Sequence, residues 1–287
     1  MELLVRFGVF LSVFSTMAVW EYWRPRRLLT QPRRKRWVTN LGLTSLNTVL
    51  VWVTVGGVAY AAAVFAAARR MGLLYWISLP SWVAVAVTLL GLDFAIYLQH
   101  VMFHAVPALW RLHRVHHADL GCDATTGLRF HPIEIFLSLG FKMAVVVLLG
   151  AVPWAVVIFE VLLNASSVFN HGNVAIPERL DHWLRWAIVT PDMHKVHHSS
   201  WRPETDSNYS TVFSMWDRLA GSFRMRQDPS TLQFGLPDFS DPSWQTLWGM
   251  LRTPFVAAPM SPAASLPGGR ASEPAVPDFS TPQSVQR

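Results

Sequence analysis

Charge is scarce in this chain. Of its 287 residues only 15% are charged and 52% are hydrophobic, whereas a soluble globular domain carries about 25% charged residues. Cysteine is nearly absent: Cys122 stands alone, which excludes an internal disulfide, a cysteine-built zinc site and an iron–sulfur cluster. The sequence has no GxGxxG dinucleotide fingerprint and no CxxCH haem attachment motif, so no haem, flavin or NAD site is expected. HExxH and GxSxG are missing too, which removes the signatures of zinc proteases and serine hydrolases. Histidine is absent from two-thirds of the chain, since all eleven lie between residues 100 and 198.

What is present is apolar sequence in long runs. A helix needs about 20 apolar residues to cross a bilayer, and Leu3 to Trp20, Leu41 to Ala68 and Ile77 to Gln99 each qualify. The first run has Glu2 and Arg6 but no basic leader, and is read as an uncleaved span. A fourth tract, Leu137 to Phe169, is interrupted between Gly150 and Pro153 and is expected to form a helical hairpin. Fourteen tryptophans suit a membrane–water boundary. Segments around Trp183, Arg185 and Trp186, and around Trp244, Trp248 and Leu251, are read as interfacial. Seven basic residues crowd Arg24 to Arg36, against Arg69 and Arg70 in the next loop. The positive-inside rule therefore places 24–36 in the cytoplasm. The net charge of +6 lies beside apolar spans, so anionic lipid rather than nucleic acid is the expected contact. The expected divisions are membrane helices over 1–89, a catalytic unit over 90–225, an interfacial segment over 226–256 and a disordered Pro- and Ser-rich tail over 257–287. The expected architecture is an all-α integral membrane bundle with a cytoplasmic helical cap that carries a histidine-rich two-metal site.

The histidines fall into an HxxxH, His100 and His104, and two HxxHH motifs, His113–His116–His117 and His194–His197–His198. On a helix, residues i, i+3 and i+4 share one face. Imidazole is a good ligand for Fe, Zn, Cu or Ni. These eight imidazoles, with His171 as a ninth, are too many for one ion and suit two. His131 is a further candidate ligand, while His182, beside Trp183 and Arg185, reads as an interfacial residue. Asp93 lies one heptad before His100 within an apolar run, where an acid is costly and needs a partner. It is expected to accept from a ligand's free N–H, and Glu134, Asn170 and Asp192 are candidates for the same duty. Thr190 and Pro191 look like a helix start, which gives Asp192 a second reading as a helix-dipole partner.

The order His100-x3-His104, His113-x2-His116-His117, His131-Pro132-x-Glu134, Asn170-His171-x-Asn173 and His194-x2-His197-His198 resembles the sterol desaturase and fatty acid hydroxylase superfamily. Asp93, Asn208 and the segment Trp216 to Ser222 fit that resemblance, which covers roughly 90–225. It implies a membrane di-iron oxygenase, with its site at the cytoplasmic face, that hydroxylates or desaturates sterols, fatty acids, carotenoids or ether lipids. The HPGG haem motif fused to some members has no counterpart here, since Leu266-Pro267-Gly268-Gly269 lacks the histidine.

On this reading two Fe2+ ions are held by His100, His104, His113, His116, His117, His171, His194, His197 and His198. O2 is the co-substrate and a membrane lipid is oxidised. Electrons are expected from a separate donor, such as a ferredoxin or cytochrome with its reductase, and Arg111, Arg114 and Lys195 read equally well as its attractors and as lipid-headgroup contacts. Two rivals are a zinc-dependent membrane hydrolase, which would need a general base of the HExxH kind, and a metal transporter, which would hold its ligands at mid-bilayer.

Overall fold

The computed structural model describes residues 2–29, 31–54 and 58–257. The expected tail, with Leu266 to Gly269, lies outside the described residues save for Ala257. Among those described, all regular structure is helical, and backbone pairing between extended residues is limited to isolated bridges such as Ile188 with Phe213.

The long helices are α1 (Glu2–Trp23), α2 (Arg33–Thr54), α3 (Val58–Ala68), α4 (Ser81–Ala105), α6 (Pro132–Leu149) and α7 (Pro153–His171), with α5 (Pro107–His117) between α4 and α6. Five stretches are long and apolar enough to cross a membrane: Leu4–Trp23, Arg33–Tyr75, Ser81–Ala105, Pro132–Leu149 and Pro153–His171. The second is too long for one crossing. Its first turns run along the cap, where Asn40 donates to Thr125 Oγ1, Thr44 to the Leu128 carbonyl and Asn47 to the Phe130 carbonyl. The descent therefore starts near Asn47, about two turns after the Leu41 start expected from hydropathy.

The break at Gly150 makes a hairpin, as its composition predicts. Gly150 ends α6 at φ 67°, the left-handed conformation that glycine adopts freely, and Pro153 opens α7 at its first turn. A Cβ on Gly72 would collide with the Gly150 backbone, so the two turns share a contact that only glycine permits. At 18 and 19 residues, each arm spans about 27–28 Å, enough to cross the hydrocarbon core. Apolar side chains of α3, α4, α6 and α7 meet around Ala63, Leu92, Val146 and Phe159, and Met17 of α1 packs with Val168 of α7. Within the spans Glu160 pairs with Arg6 and Lys142, joining α7 to α1 and α6.

The short helices build the cap at one end of this bundle. They are α8 (Glu178–Leu184), α9 (Pro191–His197), α10 (Arg202–Thr205), α11 (Met215–Leu219) and α12 (Leu247–Arg252). Thr190 caps α9 by accepting from Met193 N, with Pro191 at the first helical position. Trp183, Trp186 and Trp248 are exposed on the cap, while Trp76, Trp82 and Trp154 are exposed at the opposite helix ends, so indoles ring both boundaries. Trp244 and Leu251 are not part of the outer ring: Trp244 packs on Phe239, and Leu251 packs against the cluster of Leu43, Val115 and Met250.

The basic run does more than face headgroups. Arg26 pairs with Asp192 at 3.0 Å, Arg33 with Glu21 at 3.7 Å, and Arg36 with Asp119 at 2.9 Å and Asp123 at 3.3 Å. Arg27 donates to the carbonyls of Leu232 and Pro229. Only Arg24, Arg34 and Lys35 of the 33–36 turn and its approach are left largely exposed without such a bond. The run is a strap that ties the bundle to the cap. The Asp119 carboxyl, which burial alone would raise, is held below its usual range by Arg36 and Arg129.

Two outcomes follow from the strap. Arg36→Ala leaves Asp119 and Asp123 buried without their partner and is expected to cost about 3–5 kcal/mol, read as a lowered melting temperature in detergent; an unchanged melt contradicts the strap. Because Arg36 touches Asp119, Lys35→Cys and Arg202→Cys should react with an impermeant thiol reagent from one side of the membrane and Arg70→Cys from the other. Labelling of Lys35→Cys and Arg202→Cys from opposite sides would contradict the fold.

Candidate metal centre

The site forms where α4 ends and α5 begins. His100 and His104 share one face of the last turns of α4. Val106 and Pro107 turn the chain, and α5 runs with His113, His116 and His117 buried. Helix α9 brings His194, His197 and, at its C-cap, His198 from the cap, and α7 brings His171 at its last residue. The nine imidazoles assemble in two groups. His100, His104, His113, His117 and His197 form one, and His116, His171, His194 and His198 form the other, with the nitrogens of each group within 4.8 Å of one another.

Helix geometry explains the division. In each HxxHH motif the first and third histidines are four residues apart and point together, while the middle one is turned about 60° away. The motif on α5 gives its i,i+4 pair, His113 and His117, to the group of five and sends His116 to the group of four. The motif on α9 does the reverse, giving His194 and His198 to the group of four and His197 to the group of five. Each motif therefore feeds both groups and holds them side by side.

The nitrogens face each other closely. His171 Nε2 lies 3.1 Å from His116 Nε2, 2.9 Å from His198 Nε2 and 3.0 Å from His194 Nε2. In the group of five, His100 Nε2 lies 3.1 Å from His113 Nε2, and the rings of His104, His117 and His197 meet edge-on or tilted with centroids 4.6–4.8 Å apart. Four nitrogens around one point cannot all be satisfied by shared protons. His104 Nε2, His197 Nε2 and both nitrogens of His117 are buried with no hydrogen-bond partner, an arrangement that is costly unless a cation completes it. Nitrogens bound to a common ion at about 2.0–2.1 Å lie roughly 3 Å apart, so the donor set fits a metal in each group. Burial, and then the neighbouring histidines, holds His116, His117, His194 and His198 well below the ordinary imidazole range, and burial pushes His113 down to about 3. The imidazoles are thus neutral at pH 7, the form in which they ligate.

Several rings are fixed from behind through Nδ1. His113 Nδ1 lies 2.6 Å from Glu134 Oε1 and His104 Nδ1 lies 3.3 Å from Asp206 Oδ1. His100, His171 and His197 meet the carbonyls of Tyr209, Ser167 and Ser207 at 2.7, 2.6 and 2.7 Å. An Nδ1–H donated to these acceptors leaves Nε2 as the lone-pair atom turned inward.

Of the acids and amides expected behind the ligands, Glu134 meets one and three do not. Asp93 accepts from Phe213 N at 3.1 Å and Trp216 Nε1 at 2.8 Å. It acts at a distance, by anchoring the 213–217 turn from which Asp217 accepts from Tyr209 N and Ser210 N and so sets the carbonyl that holds His100. Asn170 donates to the Thr211 carbonyl, and Asp192 pairs with Arg26 and Lys195. His131 stands outside both groups, where it caps α6 by accepting from Ile133 N and its Nε2 meets the Leu251 carbonyl at 3.3 Å. His182 is exposed. Asp206 and the three carbonyls had no signal in a linear motif. The nearest hint is Asn208, at φ 51°, whose side chain ties Met193 and Arg224 and shapes the turn that carries Ser207 and Tyr209.

Glu134→Gln removes the carboxyl partner of His113 Nδ1 and is expected to weaken metal affinity about 10–100-fold, measured by chelator competition, while Asn170→Ala leaves it within about threefold. Equal affinity for Glu134→Gln and the unmodified chain would contradict the role given to Glu134.

Residues 85–222 match the model of the fatty acid hydroxylase family. The chain is 28% identical to ornithine lipid hydroxylase OlsE of Rhizobium tropici over 241 residues, 79% of this chain and 70% of the relative. It is 30% identical to alkylglycerol monooxygenase of Xenopus tropicalis over 194 residues, 64% of this chain and 41% of the relative. Against human cholesterol 25-hydroxylase it is 30% identical over 146 residues, 50% of this chain and 52% of the relative. The chain thus spans about half or less of the length of the latter two relatives. No solved structure matches it. Both histidine groups lie inside the matched residues, with five apolar stretches around them, so the chain is similar over 85–222 to the fatty acid hydroxylase family and has the helices of a multi-pass membrane protein.

Proposed function

We propose that the chain is a lipid hydroxylase that uses O2, two Fe2+ ions and electrons from a separate donor. The observation that carries this reading is the pair of buried neutral imidazole groups, five and four strong, at the end of membrane-length helices. Inserting oxygen into an unactivated C–H bond demands redox chemistry that side chains lack. Bound Fe2+ would supply that chemistry by reducing O2. The balance is a lipid C–H, O2, two electrons and two protons giving the lipid alcohol and water.

The chain's own residues supply the rest. The nine imidazoles bind, and Glu134, Asp206 and the carbonyls of Tyr209, Ser167 and Ser207 orient them. The dry interior keeps water from the reacting centre. Exposed indoles on the cap keep it against the headgroups, so that a lipid reaches the site without leaving the bilayer. Hydroxylation is preferred to desaturation because the relatives are named as hydroxylases and monooxygenases. A hydrolase fits less well, since Glu134 and Asp206 are occupied by ligand imidazoles and neither is free to act as a base. A transporter fits less well because the ligands gather at helix ends. Exposed Arg24, Arg34 and Lys35 support a cytoplasmic site.

Protein from iron-replete cells should hold about two iron ions per chain, with His197→Ala losing metal and O2-dependent lipid hydroxylation together and His182→Ala keeping both. A stoichiometry of one, bound zinc that supports activity, or equal damage from both substitutions would overturn the proposal.

A further inference from the structure

Resting on that reading, two phenols stand behind the group of five histidines that the reaction itself does not use. Tyr209 lies in the turn that closes the group. Its ring is 5.1 Å from that of His104 and 5.7 Å from those of His100 and His197. Tyr97 of α4, about one turn before His100, meets the Tyr209 ring edge-on at 6.3 Å. Tyr97 is buried, and its other ring contact is Phe94, stacked at 6.3 Å.

The phenols differ in where a proton can go. Among the described residues Tyr209 bonds through its backbone alone, its N–H to Asp217 and its carbonyl to His100 Nδ1. The Tyr97 hydroxyl lies 3.1 Å from Ser222 Oγ, and Ser222 donates to Asp217 Oδ1 at 2.7 Å. With its own hydrogen committed to the carboxylate, Ser222 accepts from Tyr97. The chain therefore has a fixed direction, from Tyr97 O–H to Ser222 O–H to Asp217. Asp217 is buried, and burial pushes its carboxyl up, which favours uptake of a proton.

A phenol that loses an electron becomes a strong acid, so its oxidation is eased where an acceptor waits within hydrogen-bond reach. Tyr97 has that acceptor and the Tyr209 side chain does not. The plain benzene ring of Phe94 is far harder to oxidise than a phenol, so the path ends at Tyr97. A centre that has reacted with O2 and has no C–H bond to attack is a hazard to its own ligands and to Trp110, whose ring lies 4.9 Å from that of His104.

We propose that Tyr97 is a one-electron, one-proton reservoir that quenches the oxidised metal centre when O2 has reacted and no lipid is bound. Tyr97 loses one electron, which passes by way of the Tyr209 ring and lowers the oxidation state of the centre by one. The O–H bond of Tyr97 breaks and an O–H bond forms on Asp217 Oδ1, while Ser222 gives one proton and receives one. The products are a neutral tyrosyl radical and a protonated Asp217. One electron from the separate donor, with return of the proton, restores both.

The test uses iron-loaded, reduced protein in lipid-free detergent, mixed with O2 and freeze-quenched, with hydrogen peroxide as the oxidant in a parallel arm. Electron paramagnetic resonance should show a neutral tyrosyl radical, identified by its altered hyperfine pattern in protein made with ring-deuterated tyrosine. Tyr97→Phe should remove that signal and keep the metal content and the rate at which O2 oxidises the centre. It should also lose iron faster over repeated O2 cycles, with oxygen adducts on Trp110 or the ligand histidines found by mass spectrometry. Ser222→Ala should lower the radical yield about tenfold, the effect of one lost hydrogen bond in a charge-assisted chain, and Ser222→Thr should restore it. No tyrosyl signal, a tryptophanyl signal in its place, or an unchanged signal in Tyr97→Phe overturns the reservoir. An undiminished yield in Ser222→Ala overturns the proton path. If O2 does not oxidise the ferrous centre, the oxygenase reading falls, while the peroxide arm still decides whether Tyr97 is the reservoir.

Discussion

Nine imidazoles can face one another inside a protein only if they are neutral and if something other than shared protons fills the space between them. That constraint governs the rest of the molecule. Neutrality is supplied by burial, which holds His113, His116, His117, His194 and His198 far below the ordinary imidazole range. Direction is supplied from behind, by two carboxyl groups and three backbone carbonyls on Nδ1. Keeping so many unprotonated nitrogens dry and aimed inward requires rigid supports on every side. The two ends of the bundle are pinned differently, by glycine turns at Gly72 and Gly150 and by the arginine strap at the cap.

The two HxxHH motifs are the device that makes one centre out of two groups. Because each motif contributes to both, the groups cannot separate without unwinding α5 or α9. Helix α9 is only seven residues long and has little stability of its own. Its placement depends on the Thr190 cap, on the pairing of Asp192 with Arg26, and on Asn208 holding the Met193 carbonyl. Damage to these contacts is therefore expected to be felt at both histidine groups at once.

Local spacing carries much of this design, and long-range pairing carries the remainder. The histidine periodicity, the break between Gly150 and Pro153 and the start of α9 at Thr190 are properties of short segments, and hydropathy or helix geometry is enough to read them. Asp93 illustrates the limit. An acid in an apolar span must have a partner, yet only the fold shows that the partner is the Trp216 indole, 123 residues away in sequence. The same holds for the strap: Arg36 and Asp119 are 83 residues apart, and a basic run beside apolar spans reads equally well as headgroup contact. Asp206 and the carbonyls of Ser207 and Tyr209 lie in a turn with no periodicity to mark it. Their role becomes visible only once His104, His197 and His100 are seen against them.

The account stands or falls on two unlike metal environments, one with five imidazoles and one with four. Mössbauer spectroscopy of protein loaded with Mössbauer-active iron tests this most directly. The account predicts two quadrupole doublets of equal area, from two high-spin ferrous ions in nitrogen-rich sites, that both change when O2 is admitted. A single doublet, or iron that does not respond to O2, would contradict it.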